Sequence, residues 1–277
     1  MIANILSIAG TDPTGGAGIH ADIKTFSANG AYAMAAITAV VAQNTQGVRA
    51  FEALDPEFVG EQIDAVFEDV RVDAVKIGMV ATAQIAEAIA ARLRCHQAKN
   101  IVLDPVMAAK SGDPLLAPDA VAAVRELLAP LATIMTPNLP EAGLLLDDDP
   151  EWTLAEMRAR VKDLRKLGSQ WVLLKGGHLE GSKESVDLLR GPAATIEVSA
   201  PRLHTRNDHG TGCTLSAAIA ALLPTHSVED SVRQAKAYMH GALAASEALA
   251  VGQGHGPLHH FHRLWKGFPG YASRVKA

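Results

Sequence analysis

The stretch Ile5-Leu6-Ser7-Ile8-Ala9-Gly10-Thr11-Asp12-Pro13-Thr14-Gly15-Gly16-Ala17-Gly18 decides the fold class. Its first five residues form a short, strongly apolar segment of strand length. Four glycines follow, and Gly18–Asn29 then repeats apolar residues at three- and four-residue steps, the period of a helix. A strand that passes through a glycine turn into a helix is the first half of a βα unit, and Asn29-Gly30 supplies the stop chemistry of a helix C-terminus. The glycines let backbone approach a ligand closely, although a merely tight turn explains them equally well.

The alternation continues along the chain. Further strands are expected near Ala74–Gly78, Ile101–Pro105, Thr133–Thr136 and Trp171–Lys175, and helices over Glu57–Val70, Ala83–Arg94, Pro118–Leu128 and Leu154–Leu167. Asp55-Pro56 suits a helix start, and Thr153 with Glu156 fits a reciprocal capping box. After Lys175 the pieces Ser185–Leu189 and Thr195–Ser199 predict antiparallel strands at one sheet edge, before two closing helices over Thr211–Leu223 and Val228–Leu249. The expected fold is α/β, a central mostly parallel sheet flanked by helices with an antiparallel edge. No repeat or linker marks a second domain, so residues 1–277 read as one domain.

Composition agrees and excludes several function classes. The chain has 277 residues, 48% hydrophobic and 20% charged, enough for a sizeable core. A net charge of −5 and a pI near 6.1 provide no global field for nucleic acid or an anionic membrane, so phosphate binding must be organised locally. No apolar run reaches the roughly 18 residues needed to span a bilayer, and Met1–Leu6 has no cationic n-region, which makes a cytoplasmic location the expectation. Cys95 and Cys213 are too few for a disulfide framework and read as free thiols. Cys95 is expected to be a small, partly buried filler in its helix.

Chemistry concentrates in Asn207-Asp208-His209-Gly210-Thr211-Gly212-Cys213-Thr214, which joins glycines to an Ala-rich helix. A helix start there leaves backbone N–H groups of Gly210, Thr211 and Gly212 free to form an anion hole, where the helix dipole stabilises a transferring phosphoryl group. The same dipole is expected to lower the pKa of Cys213, making a thiolate able to take a proton; a small residue permitting helix–sheet packing is the plainer account. Asn138-Leu139-Pro140-Glu141 follows a strand and reads either as a helix cap or, with Asp104, as a pair of groups for hydrated Mg²⁺. Asp104 ends the apolar strand Ile101-Val102-Leu103, where a carboxylate needs a partner. Lys175, in Lys175-Gly176-Gly177-His178, is a phosphate contact or a lysine reaching from a strand end to water. Asp22, one turn into the first helix, either faces the same crevice or is a solvated surface carboxylate.

Taken together, these segments identify a resemblance. With Val41-Ala42-Gln43-Asn44-Thr45, Lys76-Ile77-Gly78-Met79, Leu103-Asp104-Pro105-Val106-Met107, Lys110-Ser111-Gly112-Asp113 and Thr136-Pro137-Asn138-Leu139-Pro140-Glu141-Ala142, the chain resembles the hydroxymethylpyrimidine/phosphomethylpyrimidine kinases of thiamine biosynthesis, in the ribokinase-like superfamily. The resemblance runs nearly end to end. It implies two successive transfers from MgATP, first to the hydroxymethyl group of 4-amino-5-hydroxymethyl-2-methylpyrimidine and then to the monophosphate. It also implies that Gln43 and Asp22 address the pyrimidine's polar edge, that Gly10, Ala17, Met79 and Val106 shape its pocket, that Asn138, Lys175, Gly210 and Gly212 meet ATP phosphates, that Cys213 is the base, and that the enzyme is a homodimer.

The polar loop Ala108–Asp113 is expected to close over substrate. The tail His255-Gly256-Pro257-Leu258-His259-His260-Phe261-His262 lacks a cysteine or carboxylate at an established zinc spacing and is expected to pack, and His20, where the family more often has Gln, is expected at the surface. The nearest alternative is a pyridoxal or pyridoxine kinase of the same superfamily. An ordinary sugar kinase fits less well, since those usually carry Asp where Cys213 stands, and a non-catalytic sensor would not need the Asp104, Glu141, Lys175 and Cys213 set.

Overall fold

The computed structural model describes residues 1–108, 118–149, 151–177, 179, 182–268 and 271. Among the described residues ten strands are formed: β1 Asn4–Ala9, β2 Tyr32–Ile37, β3 Ala39–Asn44, β4 Gly47–Ala53, β5 Ala74–Ile77, β6 Ile101–Leu103, β7 Ile134–Met135, β8 Trp171–Leu174, β9 Glu184–Arg190 and β10 Thr195–Pro201. The helices are α1 Gly18–Ala28, α2 Pro56–Asp69, α3 Ala83–Cys95, α4 Pro118–Ala123, α5 Leu139–Leu146, α6 Leu154–Arg165, α7 Thr211–Leu222 and α8 Val228–Ala244. Eight strands make one sheet in the order β10-β9-β8-β7-β6-β5-β1-β2. Pairing is parallel from β2 to β8 and antiparallel across β8, β9 and β10, the mixed sheet expected from the sequence.

Two apolar cores sandwich the sheet, and strand alternation divides residues between them. Leu6, Ile8, Ile101, Leu103, Val172 and Leu174 pack towards α2, α3, α5 and α6. Ile5, Val102, Ile134, Leu173 and Leu189 pack the other way, on Phe26 of α1, Leu215 and Ile219 of α7, and Val232 and Tyr238 of α8. Strands buried on both faces have no polar partner in the sequence pattern, which is why they read as continuous apolar runs. The alanines 217, 218, 220 and 221 let α7 lie close over the sheet, where it meets β1, β5 and β6.

The parallel strands place their carboxyl ends on one edge. Strand β1 lies between β2 and β5, so the connections depart in opposite directions from it and leave the crevice at which open α/β sheets bind ligands. The N-terminus of α7 arrives at that crevice.

Expected caps are present: Asp55 accepts from Glu57 and Phe58 N–H, Thr153 and Glu156 form their box, and Gly30 follows α1 with φ +80°. Four elements are absent from the sequence expectations: β2, the β3–β4 hairpin, and α5. Strand β2 is half-exposed and alanine-rich, the hairpin forms its own two-stranded sheet without a fully buried face, and α5 has only eight residues directly after a strand turn. The helix expected over Pro118–Leu128 holds α geometry only to Ala123, then widens to a π turn over Val124–Leu128 and tightens over Ala129–Leu131. Pro130 cannot donate to the helix and clashes with the preceding turn. The last helix stops at Ala244 rather than 249. Cys95 is exposed, not partly buried: it closes α3 on the outer side while Leu93 faces the core.

Candidate active site

The expected anion turn forms at the start of α7. Gly210 has φ +82°, and a Cβ there would collide with the Gly16 carbonyl, so only glycine fits the point where the turn meets the β1–α1 loop. Among the described residues the Gly210, Gly212 and Cys213 N–H groups have no acceptor, while Thr211 N–H bonds back to Asp208 O at 3.4 Å and Thr214 N–H to Gly210 O at 2.8 Å. These free donors and the positive end of the helix meet at the turn.

Against this helix start lies a charged cluster. Lys175, the residue after β8, places Nζ 3.0 Å from Asp104 Oδ1 and 3.8 Å from Glu141 Oε2. A Cβ on Gly212 would stand 3.2 Å from the same ammonium, so a glycine keeps α7 close to it. Asp104 is further held by Thr136 Oγ1 at 3.2 Å and Ser216 Oγ at 3.0 Å. Burial pushes its carboxyl up, but Lys175 and Lys76 pull harder and hold it below the usual range. Glu141 is the contrary case. Burial, with Asp104 nearby, outweighs Lys175 and lifts it to about 7. Asn138 and Glu141 form a capping box at the start of α5, with Asn138 Oδ1 accepting from Glu141 N–H at 2.9 Å and Glu141 Oε2 accepting from Asn138 N–H at 2.7 Å. The cap and the carboxylate cluster are therefore the same residues.

On the other side of the crevice, Gly10 gives room for Met79, whose Sδ would lie 3.0 Å from a Cβ at position 10, and for Val41 of the hairpin. Val106 is half-buried against the core beside Met107. Asp22 is completely buried: Oδ2 takes Lys76 Nζ at 2.9 Å and Ser7 Oγ at 2.6 Å, while Oδ1 has no hydrogen-bond partner. The solvated alternative is excluded. Burial pushes this carboxyl up against the pull of Lys76, whose ammonium is correspondingly held on.

Cys213 corrects an expectation. The helix start was expected to lower its pKa, yet burial raises the thiol to about 11, with Asp22 and Asp104 adding to the rise and Lys76 and the Gly18 N–H opposing it. Loss of solvent and two nearby carboxylates outweigh the donors, so the cysteine is a thiol.

One residue that sequence reasoning passed over joins these parts. Asp12, fully buried, accepts from Thr14 N and Oγ1, Gly16 N, Ala17 N and His209 Nε2 at 2.8–3.0 Å, and also from the Gln43 side chain. Burial opposes its charge, but those bonds, led by His209, hold its pKa well below the carboxylate range. A single carboxylate thereby ties the glycine loop, the hairpin and the anion turn together. Its Asp-Pro-x-Gly-Gly context was the available signal. His20, expected at the surface, is half-buried and accepts from Asp12 N–H at 3.1 Å. The tail also contributes: His209 N–H bonds Gly256 O, and His260 Nε2 meets Thr214 Oγ1 at 3.1 Å. Lys110, Ser111, Gly112 and Asp113 of the expected lid, and His178, lie outside the described residues.

Comparison with known proteins converges on one family. The Phosphomethylpyrimidine kinase family matches residues 12–259. The chain is 54% identical to the hydroxymethylpyrimidine/phosphomethylpyrimidine kinase of Salmonella typhimurium over 95% of this chain and 98% of that one, and 52% identical to the Rhizobium meliloti enzyme of the same name over 96% and 100%. Among solved structures, a Bacillus subtilis pyridoxal kinase in complex with ADP superposes with a TM-score of 0.87 at 36% identity, covering 94% of this chain and 98% of that one. A phosphomethylpyrimidine kinase from Clostridium difficile does so with 0.77 at 41%, covering 87% and 99%. The fold is shared by both activities, but the greater identity lies with the pyrimidine kinases, and with a family match over residues 12–259 the chain belongs to the phosphomethylpyrimidine kinase family.

Proposed function

We propose that this ribokinase-like chain, acting as one domain over residues 1–277, transfers the γ-phosphoryl group of ATP to the hydroxymethyl oxygen of 4-amino-5-hydroxymethyl-2-methylpyrimidine and then, in the same site, to the resulting monophosphate. The observation that carries this reading is the meeting of Lys175, Asp104 and Glu141 with the free N–H groups of Gly212 and Cys213 at one strand edge.

In the first transfer the hydroxymethyl oxygen attacks the γ-phosphorus as the bond to the β-phosphate bridging oxygen breaks. The Gly212 and Cys213 donors, with Gly210 and Thr211 shaping the turn and Asn138 beside it, receive the charge on the phosphoryl oxygens. Lys175 exchanges part of its contact with Asp104 for phosphate. Cys213 stands where the hydroxyl proton must go. The transfer needs the thiolate, which the Lys76 ammonium and the Gly18 N–H favour against burial, Asp22 and Asp104, so the thiol proton passes to solvent before the substrate hydroxyl gives up its own. The second transfer starts from a phosphate already ionised near neutral pH, so alignment dominates there. On the pyrimidine side, Gly10, Ala17, Met79 and Val106 wall the ring, Gln43 and Asp22 address its polar edge, and the partnerless Asp22 Oδ1 is satisfied by an N–H of the ring substituents.

Two carboxylates fit Mg²⁺, which retains waters and phosphate ligands and needs no full protein cage; Asp104 and Glu141 would flank it, and the raised carboxyl of Glu141 marks a place where added positive charge is favourable. The ion would neutralise phosphate charge. We further infer a cytoplasmic homodimer acting on small molecules, not on nucleic acid or membrane. No helix among the described residues is long and apolar enough to cross a membrane. Pyridoxal kinase activity is the second reading, favoured by the close superposition on the Bacillus enzyme.

A coupled ATP assay with hydroxymethylpyrimidine, its monophosphate and pyridoxal tests the assignment. The two pyrimidines are expected to turn over at least tenfold more efficiently than pyridoxal, and Cys213→Ala to lose the first transfer most. Preference for pyridoxal would reverse the order of the readings, and equal loss of both transfers would leave Cys213 as part of the turn only.

A further inference from the structure

A second buried ion pair lies behind the cluster, on the α8 side of the sheet. Asp187 of β9 is 2% exposed; its Oδ2 stands 2.6 Å from Lys236 Nζ of α8, which also donates to Ser185 Oγ at 3.3 Å. The other oxygen, Oδ1, accepts the Gly176 N–H at 3.0 Å. Gly176 directly follows Lys175, and a Cβ on it would collide with the Val186 carbonyl, so the turn is pressed onto β9.

This contact decides where β8 ends. The antiparallel pairing runs Val172–Arg190, Leu173–Leu189 and Leu174–Leu188. Beyond Leu174 the Gly176 N–H goes to a side chain instead, while Lys175 N–H goes to Pro137 O at 2.8 Å on the opposite side. Lys175 is thereby pinned between two anchors, with its ammonium directed at Asp104. A charge pair this deep contributes little to stability that well-packed apolar side chains would not supply. What an apolar pair cannot supply is an acceptor for the Gly176 N–H.

We propose that Asp187, oriented by Lys236, is a positioning residue that acts through Gly176 to set Lys175 and the following glycine turn against the nucleotide. This rests on the reading of Lys175 as a phosphate contact.

Two double variants of equal charge isolate the contact. Asp187→Asn with Lys236→Met keeps an acceptor for Gly176, whereas Asp187→Leu with Lys236→Met removes it while filling similar volume. For the first, KM for ATP should stay within threefold of the parent. For the second it should rise at least tenfold, with KM for the pyrimidine unchanged and thermal midpoints of the two doubles within a few degrees. Equal KM for ATP in the two doubles overturns the proposal. Should the leucine double fail to fold, Asp187→Val in the same background makes the same comparison. Lys175→Met is measured alongside: unchanged KM for ATP and kcat there would show instead that the phosphate-contact reading itself is wrong.

Discussion

Lys76, within β5, and Lys175, directly after β8, are both paired to carboxylates, yet the two pairs are built differently. Lys76 and Asp22 are sealed, each at 0% side-chain exposure, with one ammonium facing one carboxylate. Lys175 is 13% exposed and is shared between Asp104 and Glu141. The sealed ammonium has no alternative partner, and apart from the unpaired Asp22 Oδ1 left for the ring the pair behaves as fixed scaffold beside the proposed pyrimidine pocket. The shared lysine sits among two acceptors, one of them only weakly ionised, and can shift towards an incoming phosphate without stranding a charge. Similar chemistry thus serves rigidity on one side of the crevice and exchange on the other.

The largest effect is expected from breaking the sealed pair. Lys76→Met leaves Asp22 buried and uncompensated, and should cost about 3–5 kcal/mol in urea unfolding, whereas Lys76→Met combined with Asp22→Leu should restore most of it. A loss below about 1 kcal/mol in the single variant would show that water reaches Asp22 and that the two lysines are not different in kind.

Glu141→Gln sharpens the exchange side. With its pKa raised from 4.5 to about 7, the folded protein binds a proton more readily than the unfolded chain. The associated stability is present below pH 4.5 and is lost as pH rises through 7. Glutamine removes that charge, so the variant should be more stable than the parent by about 3 kcal/mol at pH 8 and no different at pH 4. Its kcat should fall at least tenfold. Greater stability with undiminished turnover would take Glu141 out of the site.

The effect smallest at neutral pH belongs to the tail. Burial, followed by nearby cationic groups, lowers His260 to about 3, while burial lowers His262 to about 4 despite a backbone contact that opposes it. The unfolded chain binds these protons first, so stability declines as pH falls from about 6.5 towards those values. His260→Asn should flatten the slope of Tm between pH 6 and pH 4 and leave Tm at pH 8 nearly unchanged. An unaltered slope would assign the acid limb to other groups.

The parallel strands were legible because burial on both faces writes itself as Ile101-Val102-Leu103 or Trp171-Val172-Leu173-Leu174. The carboxyl-edge residues Asp104, Asn138, Glu141 and Lys175 were legible as polar groups ending such runs. Strand β2 and the hairpin were not, since their stability comes from neighbours distant in sequence and their faces are only half covered. The thiol state of Cys213 was misread for a related reason. The helix start is local, but Asp22 and Asp104, which oppose the thiolate, arrive from other elements. Asp12 was overlooked because its partner His209 lies 197 positions away.

That separation has a consequence in time. Asp12 leaves the ribosome well before His209, and His209 N–H waits further for Gly256. At translation rates of about 5–20 residues per second, roughly 10–50 s separate the first loop of the site from the segment that fastens its last turn. Until the segment reaching Gly256 has been made, the nascent chain has no fastened phosphate cradle, so it cannot spend ATP in that interval.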